Sequence, residues 1–109
     1  MIQSREYLDR NGRSPFDEWR ASLDTPARAK VETALLRLQD GNTSHVKGLG
    51  GGVSELKIDF GPGYRVYFGW SGSTIVILLG GGVKKSQQAD IERARLRWAD
   101  YKSRKSFGA

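Results

Sequence analysis

The part of this chain that most limits its fold runs from residue 53 to residue 79. It holds three patterned segments separated by connections too short for anything but chain reversal. In the first, Leu56, Ile58 and Phe60 alternate with Glu55, Lys57 and Asp59; in the second, Tyr64, Val66, Phe68 and Trp70 alternate with Arg65, Tyr67 and Gly69. Strand side chains point to opposite faces with period two, so both segments predict strands with one apolar and one polar face. Thr74-Ile75-Val76-Ile77-Leu78-Leu79 is continuously apolar, the pattern of an interior strand covered on both sides. Gly61-Pro62-Gly63 and Ser71-Gly72-Ser73 are turn sequences, and turns this short join antiparallel neighbours.

An apolar sheet face needs a cover, and the upstream sequence supplies one. Ser14 can cap a helix whose first position is Pro15, with Asp17 as the acidic half of a capping box. Phe16, Trp19 and Leu23 then form a short apolar stripe. Asp24-Thr25-Pro26 repeats the start signal, and Ala27, Val31, Ala34, Leu35 and Leu38 follow at helical spacing until Gly41. The two helices predict a hairpin. Ile2 to Leu8 predicts a leading strand, and residues 41–52, rich in glycine, predict a loop. That loop is not a phosphate-binding P-loop, because no Gly-Lys-Ser/Thr closes it and no helix follows. Beyond Gly80-Gly81-Gly82 a last helix starts near Ser86, with Ile91, Ala94, Trp98 and Tyr101 on one stripe. The expected architecture is α+β, in the order β-α-α-β-β-β-α. A twisted, mostly antiparallel sheet carries the helical hairpin packed on one face, in a single domain over residues 1–109.

Composition removes several chemistries. There is no cysteine and only one histidine, His45, which excludes disulfides, thiol catalysis, cysteine-type zinc sites and multi-histidine metal sites. No metal and no cofactor is expected. No apolar run approaches the roughly 18 residues needed to span a bilayer, and the charged N-terminus lacks a signal region. The expected setting is cytoplasmic, without a membrane partner. Of the net charge of +6, residues 84–109 supply +5, from eight basic and three acidic groups. Charge so placed suits a polyanion or an acidic protein, or serves only to solvate a helix. Lys102, Arg104 and Lys105 make residues 102–109 a basic tail.

The polar sides of the strands carry the candidate chemistry. Period-two geometry puts Lys57, Arg65 and Tyr67 on one face, and Lys84 and Lys85 follow a glycine run that lets a ligand approach the backbone closely. The alternative is a solvated sheet face whose lysines guard against aggregation. His45 and Lys47 lie in the glycine loop. Arg93 and Arg97 sit one turn apart, away from the apolar stripe of the last helix. Trp70 and Trp98 read as core aromatics.

The order of these motifs resembles a known family. Leu49-Gly50-Gly51-Gly52-Val53-Ser54-Glu55-Leu56-Lys57-Ile58, Gly63-Tyr64-Arg65-Val66-Tyr67 and Gly81-Gly82-Val83-Lys84-Lys85-Ser86-Gln87 are together similar to the RelE/HigB toxins of type II toxin–antitoxin modules. The similarity is strongest to the phage Gp49-like HigB branch, the addiction-module killer proteins. The resemblance implies a RelE/ParE-like fold and a metal-independent, ribosome-dependent mRNA endonuclease that inhibits translation and arrests growth. In that reaction the RNA 2′-hydroxyl attacks the adjacent phosphate.

Carried over by position, Lys57, Arg65 and Lys84 are the candidate catalytic residues: proton transfer or phosphate clamp, phosphorane stabilisation, and phosphate positioning or acid. His45, Lys47, Tyr67, Lys85, Gln87, Arg93 and Arg97 are candidate RNA contacts. The chain departs from the family pattern at Asp59, where RelE has a second lysine, and at Val83, where an aspartate is usual. The implied partners are the ribosome with its mRNA and a cognate helix-turn-helix antitoxin, with which an oligomeric complex is compatible. Two other functions fit the same scaffold, a ParE-like inhibitor of DNA gyrase and a non-catalytic RNA-binding module.

Overall fold

A computed structural model describes residues 1–108. Five strands form one sheet in the order β1-β5-β4-β3-β2, with β1 Gln3–Glu6, β2 Val46–Gly50, β3 Val53–Ile58, β4 Tyr64–Ser71 and β5 Ile75–Val83. β1 lies parallel to β5, and all other neighbours are antiparallel. Helices α1 (Pro15–Ala21) and α2 (Thr25–Gln39) precede the main strands. A 3-10 turn at Lys84–Ser86 leads into α3 (Gln87–Gly108). The fold is the expected α+β arrangement with one strand more than the sequence predicts.

The additional strand is β2. It lies inside the glycine-rich segment expected to be a loop, and pairs antiparallel with β3 through Val46↔Leu56, Lys47↔Glu55 and Gly48↔Ser54. Its own sequence, Val-Lys-Gly-Leu-Gly, has no strand-like alternation. Cross-strand pairing with β3 holds it, a tertiary cause that local pattern does not carry.

The helix signals place the hairpin as expected. Ser14 accepts a hydrogen bond from the Asp17 amide at 3.0 Å, and Asp24 accepts one from the Ala27 amide at 2.9 Å. The Asp17 carboxylate pairs forward with Arg20 rather than closing the capping box. Gly41, at φ +94°, takes the left-handed turn that ends α2. Phe16 from α1 and Val31, Leu35 and Leu38 from α2 pack on Leu56, Ile58, Val66, Phe68, Val76 and Leu78. Burying each such side chain contributes roughly 1.5–3 kcal/mol.

The opposite face of the sheet is not solvated. α3 lies across it, and Ala94 and Trp98 pack with Tyr7, Val53, Tyr67, Ile77 and Leu79 into a second core. Trp98 fits because Gly69 leaves a hole between Val53 and Ile77; a Cβ at Gly69 would stand 2.4 Å from its ring. A register shift near Tyr67 adds one residue to β5 at Leu79. This bulge brings Leu79 and Gly80 both toward α3 before alternation resumes. Residues 102–108, read from sequence as a tail, continue α3, and Ala109 lies outside the described residues.

Candidate functional site

The strand register gathers the basic residues at one end of the sheet. Lys57 of β3 stands directly opposite Arg65 of β4, and Arg65 stands opposite Gly82 of β5. Arg65 Nη1 donates to the Gly63 carbonyl at 3.4 Å, and the same carbonyl accepts the Lys84 amide at 2.8 Å. A Cβ at Gly63 would touch both Lys84 Cβ, at 3.5 Å, and Arg65 Nη1, at 3.7 Å. Lys57, Arg65 and Lys84 therefore share one corner, where β3, β4 and the start of α3 meet.

Their environments differ. Lys57, Lys84 and Lys85 are exposed, whereas Arg65 is buried. Its Nε lies 3.6 Å from Glu55 Oε1, too long for a hydrogen bond, and that buried carboxylate takes its hydrogen bonds from Gln87 Nε2 at 3.0 and 3.3 Å. Among the described residues Arg65 Nε finds no hydrogen-bond partner. The guanidinium thus sits beneath the surface beside the Glu55 carboxylate, at the corner that also holds Lys57 and Lys84.

Three of the candidate RNA contacts have side chains engaged within the fold itself. Tyr67 is only 1% exposed and its ring belongs to the second core, because α3 covers the face on which it lies. It is closed to a base. Burial, and then the Glu55 and Asp90 charges, push its phenol up to about 12. Arg97 is half-buried and donates to the Leu79 carbonyl at 3.0 Å, so its guanidinium braces α3 on β5. Burial lowers its pKa from the usual arginine range. Gln87 is half-buried and holds Glu55. His45, Lys47 and Arg93 are exposed, although Arg93 Nη1 contacts Asp90 Oδ1 at 3.1 Å.

The glycine run also differs from expectation. The chain's own side chains occupy the space beside it: a Cβ would meet the Arg97 guanidinium at Gly80 (2.6 Å), the Trp19 ring at Gly81 (2.3 Å) and the Asp90 carboxylate at Gly82 (1.9 Å). These glycines admit a helix on each face of β5, not a ligand. Ser86 donates to Asp90 Oδ2 at 2.5 Å and fixes the carboxylate beside Gly82. Among the described residues no three His, Cys, Asp or Glu side chains gather as a metal-binding group.

A second feature adjoins the corner. The pairing of β2 with β3 stops at Val46↔Leu56, and beyond it a cleft of about 230 Å³ opens between α2 and the end of β3. Lys30, Arg37, His45 and Lys57 are among its lining residues, and its floor includes Ala34, Leu56, Ile58 and Phe60. The His45 carbonyl accepts the Lys57 amide at 3.0 Å, tying the glycine segment to the cleft. Lys30 and Arg37 were missed because α2 read only as packing. Their spacing of seven residues, two helical turns, is the signal that marks them as sharing a face.

This combination defines a class: a small α+β chain whose sheet is covered on both sides, with Lys57, Arg65 and Lys84 together at one end of the sheet. Residues 18–101 match the family described as Phage derived protein Gp49-like (DUF891), and the chain belongs to that family. A Haemophilus influenzae relative, described as an uncharacterized protein, is 44% identical over 82 residues, which span 74% of this chain and 83% of the relative. Among the described residues no helix is long and apolar enough to cross a membrane.

Proposed function

We propose that this protein is the toxin of a type II toxin–antitoxin module and cuts mRNA on the ribosome. The observation that carries this reading is the corner where two exposed lysines, Lys57 and Lys84, flank the buried Arg65 charge. In the cleavage step the 2′-oxygen forms a bond to phosphorus and the 5′-oxygen leaves. The products are a 2′,3′-cyclic phosphate and a 5′-hydroxyl. One proton leaves the 2′-hydroxyl and one reaches the departing oxygen. On this reading Lys57 and Lys84 clamp the phosphate and handle those protons. Arg65, whose charge is shared with Glu55 3.6 Å away, backs the two lysines from below where the phosphorane gathers negative charge. A site without a strong free base gains from a template held in near-attack geometry, which accounts for dependence on the ribosome. The basic surface of α3 suits ribosomal RNA phosphates, and a helix-turn-helix antitoxin with an acidic segment would neutralise the protein by covering that surface.

The test is cleavage of mRNA by the purified protein with and without assembled ribosomes, read by primer extension. The wild type should cut only on ribosomes, and Lys57→Ala and Lys84→Ala should each slow cutting by roughly a hundredfold or more. Wild-type rates in both variants would remove the assignment. Gyrase inhibition without any RNA cut would replace it with the ParE-like function.

A further inference from the structure

We infer that the cleft between α2 and the end of β3 is a subsite for single-stranded RNA, holding a nucleotide beside the one that is cut. This assignment rests on the proposed ribonuclease function and adds residues from a helix that otherwise only packs.

Three observations carry it. The cleft and the corner share Lys57, which lines the cleft and stands opposite Arg65 in the β3–β4 register. RNA leaving the corner can therefore pass round the end of β3, beyond the Lys57–His45 backbone hydrogen bond that closes its edge with the glycine segment. The cleft's charge has one dominant sign: Lys30, Arg37 and Lys57 face a single carboxylate, Asp59, with His45 beside them. The interior combines an apolar floor with Asn42, Thr33 and Asp59 at its sides. Its volume of about 230 Å³ is below the roughly 300–1,000 Å³ usual for drug-sized ligands and suits one base rather than a helix of a partner protein. Lys30 Nζ lies over the Phe60 ring at 5.4 Å, which holds an ammonium at the mouth of the slot.

RNA is read in this manner when unpaired bases enter apolar slots and cations take the phosphates. Lys30 and Arg37 would contact the phosphates that flank the seated base, and Asn42 and Asp59 would offer hydrogen bonds to its edge. An acidic peptide is the competing occupant, but a cavity of about 230 Å³ lined by Thr33, Asn42 and Asp59 as well as cations suits a base better than a peptide side-chain row.

The experiment measures binding of a short unstructured RNA by fluorescence anisotropy across a salt series. It compares the wild type, Lys30→Ala, Arg37→Ala and the double variant. Arg28→Ala serves as control, because Arg28 is exposed on the same helix and outside the cleft. All of these residues are exposed, so folding is not at issue. Each cleft variant should bind several-fold more weakly and lower the salt slope by about 0.7, with the double variant losing about twice that. Arg28→Ala should stay near the wild type. Cleft variants that match Arg28→Ala would overturn the subsite, as would a poly-glutamate peptide that depends on Lys30 and Arg37 when RNA does not. Ribosome-bound cleavage by the same proteins separates the two proposals. Normal cutting with unchanged RNA binding in the cleft variants removes only the subsite, whereas no cutting by the wild type removes the nuclease.

Discussion

Replacing Glu55 by alanine leaves the Arg65 guanidinium buried without its carboxylate, and the expected loss of stability is about 3–5 kcal/mol. The magnitude follows from the geometry. At 3.6 Å two unit charges attract by roughly 4–5 kcal/mol at an effective dielectric of about 20. The two side chains are 7% and 5% exposed, so little water can take the carboxylate's place. Gln87 Nε2 also loses its acceptor. With a urea slope of about 1–3 kcal/mol per molar, the loss should lower the unfolding midpoint by at least roughly 1 M. Removing both charges in Glu55→Ala/Arg65→Met should recover most of that loss, since an apolar replacement of a buried pair is close to neutral. Urea unfolding followed by circular dichroism measures both variants. An unchanged midpoint in Glu55→Ala, or a double variant no more stable than the single one, would show that the buried charge is not compensated in this way.

Three further outcomes follow from the second core and the glycines. The Tyr67 hydroxyl is buried without a partner among the described residues, so Tyr67→Phe should be neutral or stabilising by about 1 kcal/mol in thermal melts. The fold favours the protonated phenol, so Tyr67 contributes fully below its ordinary pKa of 10.0 and loses that contribution as pH rises to about 12. The wild type should therefore weaken more than Tyr67→Phe across that window. Gly81→Ala sets a Cβ 2.3 Å from the Trp19 ring and should cost about 1–3 kcal/mol, with a shift in tryptophan fluorescence; an unaltered melting temperature would contradict the packing. Arg95 donates to the carbonyls of Leu49 and Gly50 at 2.7 and 3.0 Å, so Arg95→Ala should speed amide exchange around residues 50–52 while exchange in β4 and β5 stays slow.

Most of the fold was legible because each element carried its own signal: the caps at Ser14 and Asp24, the stripes of α2 and α3, and the alternation of β3 and β4. β2 was not, since its glycines carry no pattern and β3 supplies its order. The geometry of the candidate site was legible in part. Lys57, Arg65 and Lys84 share a corner because register is set by short turns, and turns can be read. The burial of Arg65 and Tyr67 could not be read from alternation alone, which marks a face as polar without saying what lies on it. The α3 stripe held the missing information, because Ala94 and Trp98 need a surface to cover. Gly69 and the run from Gly80 to Gly82 marked where large groups settle, though they resembled room for a ligand.

The ceiling over Glu55 and Arg65 is the segment that begins at Gln87, and it leaves a translating ribosome only after every strand has done so. Until then Tyr67 and Ile77 have nothing above them, and the carboxylate waiting for Gln87 stays wet. On the proposed function, the machine that builds this polypeptide is also its victim. The order of synthesis sets an order of burial: β3, β4 and β5 are all available before Gln87 arrives to cover the Glu55 carboxylate.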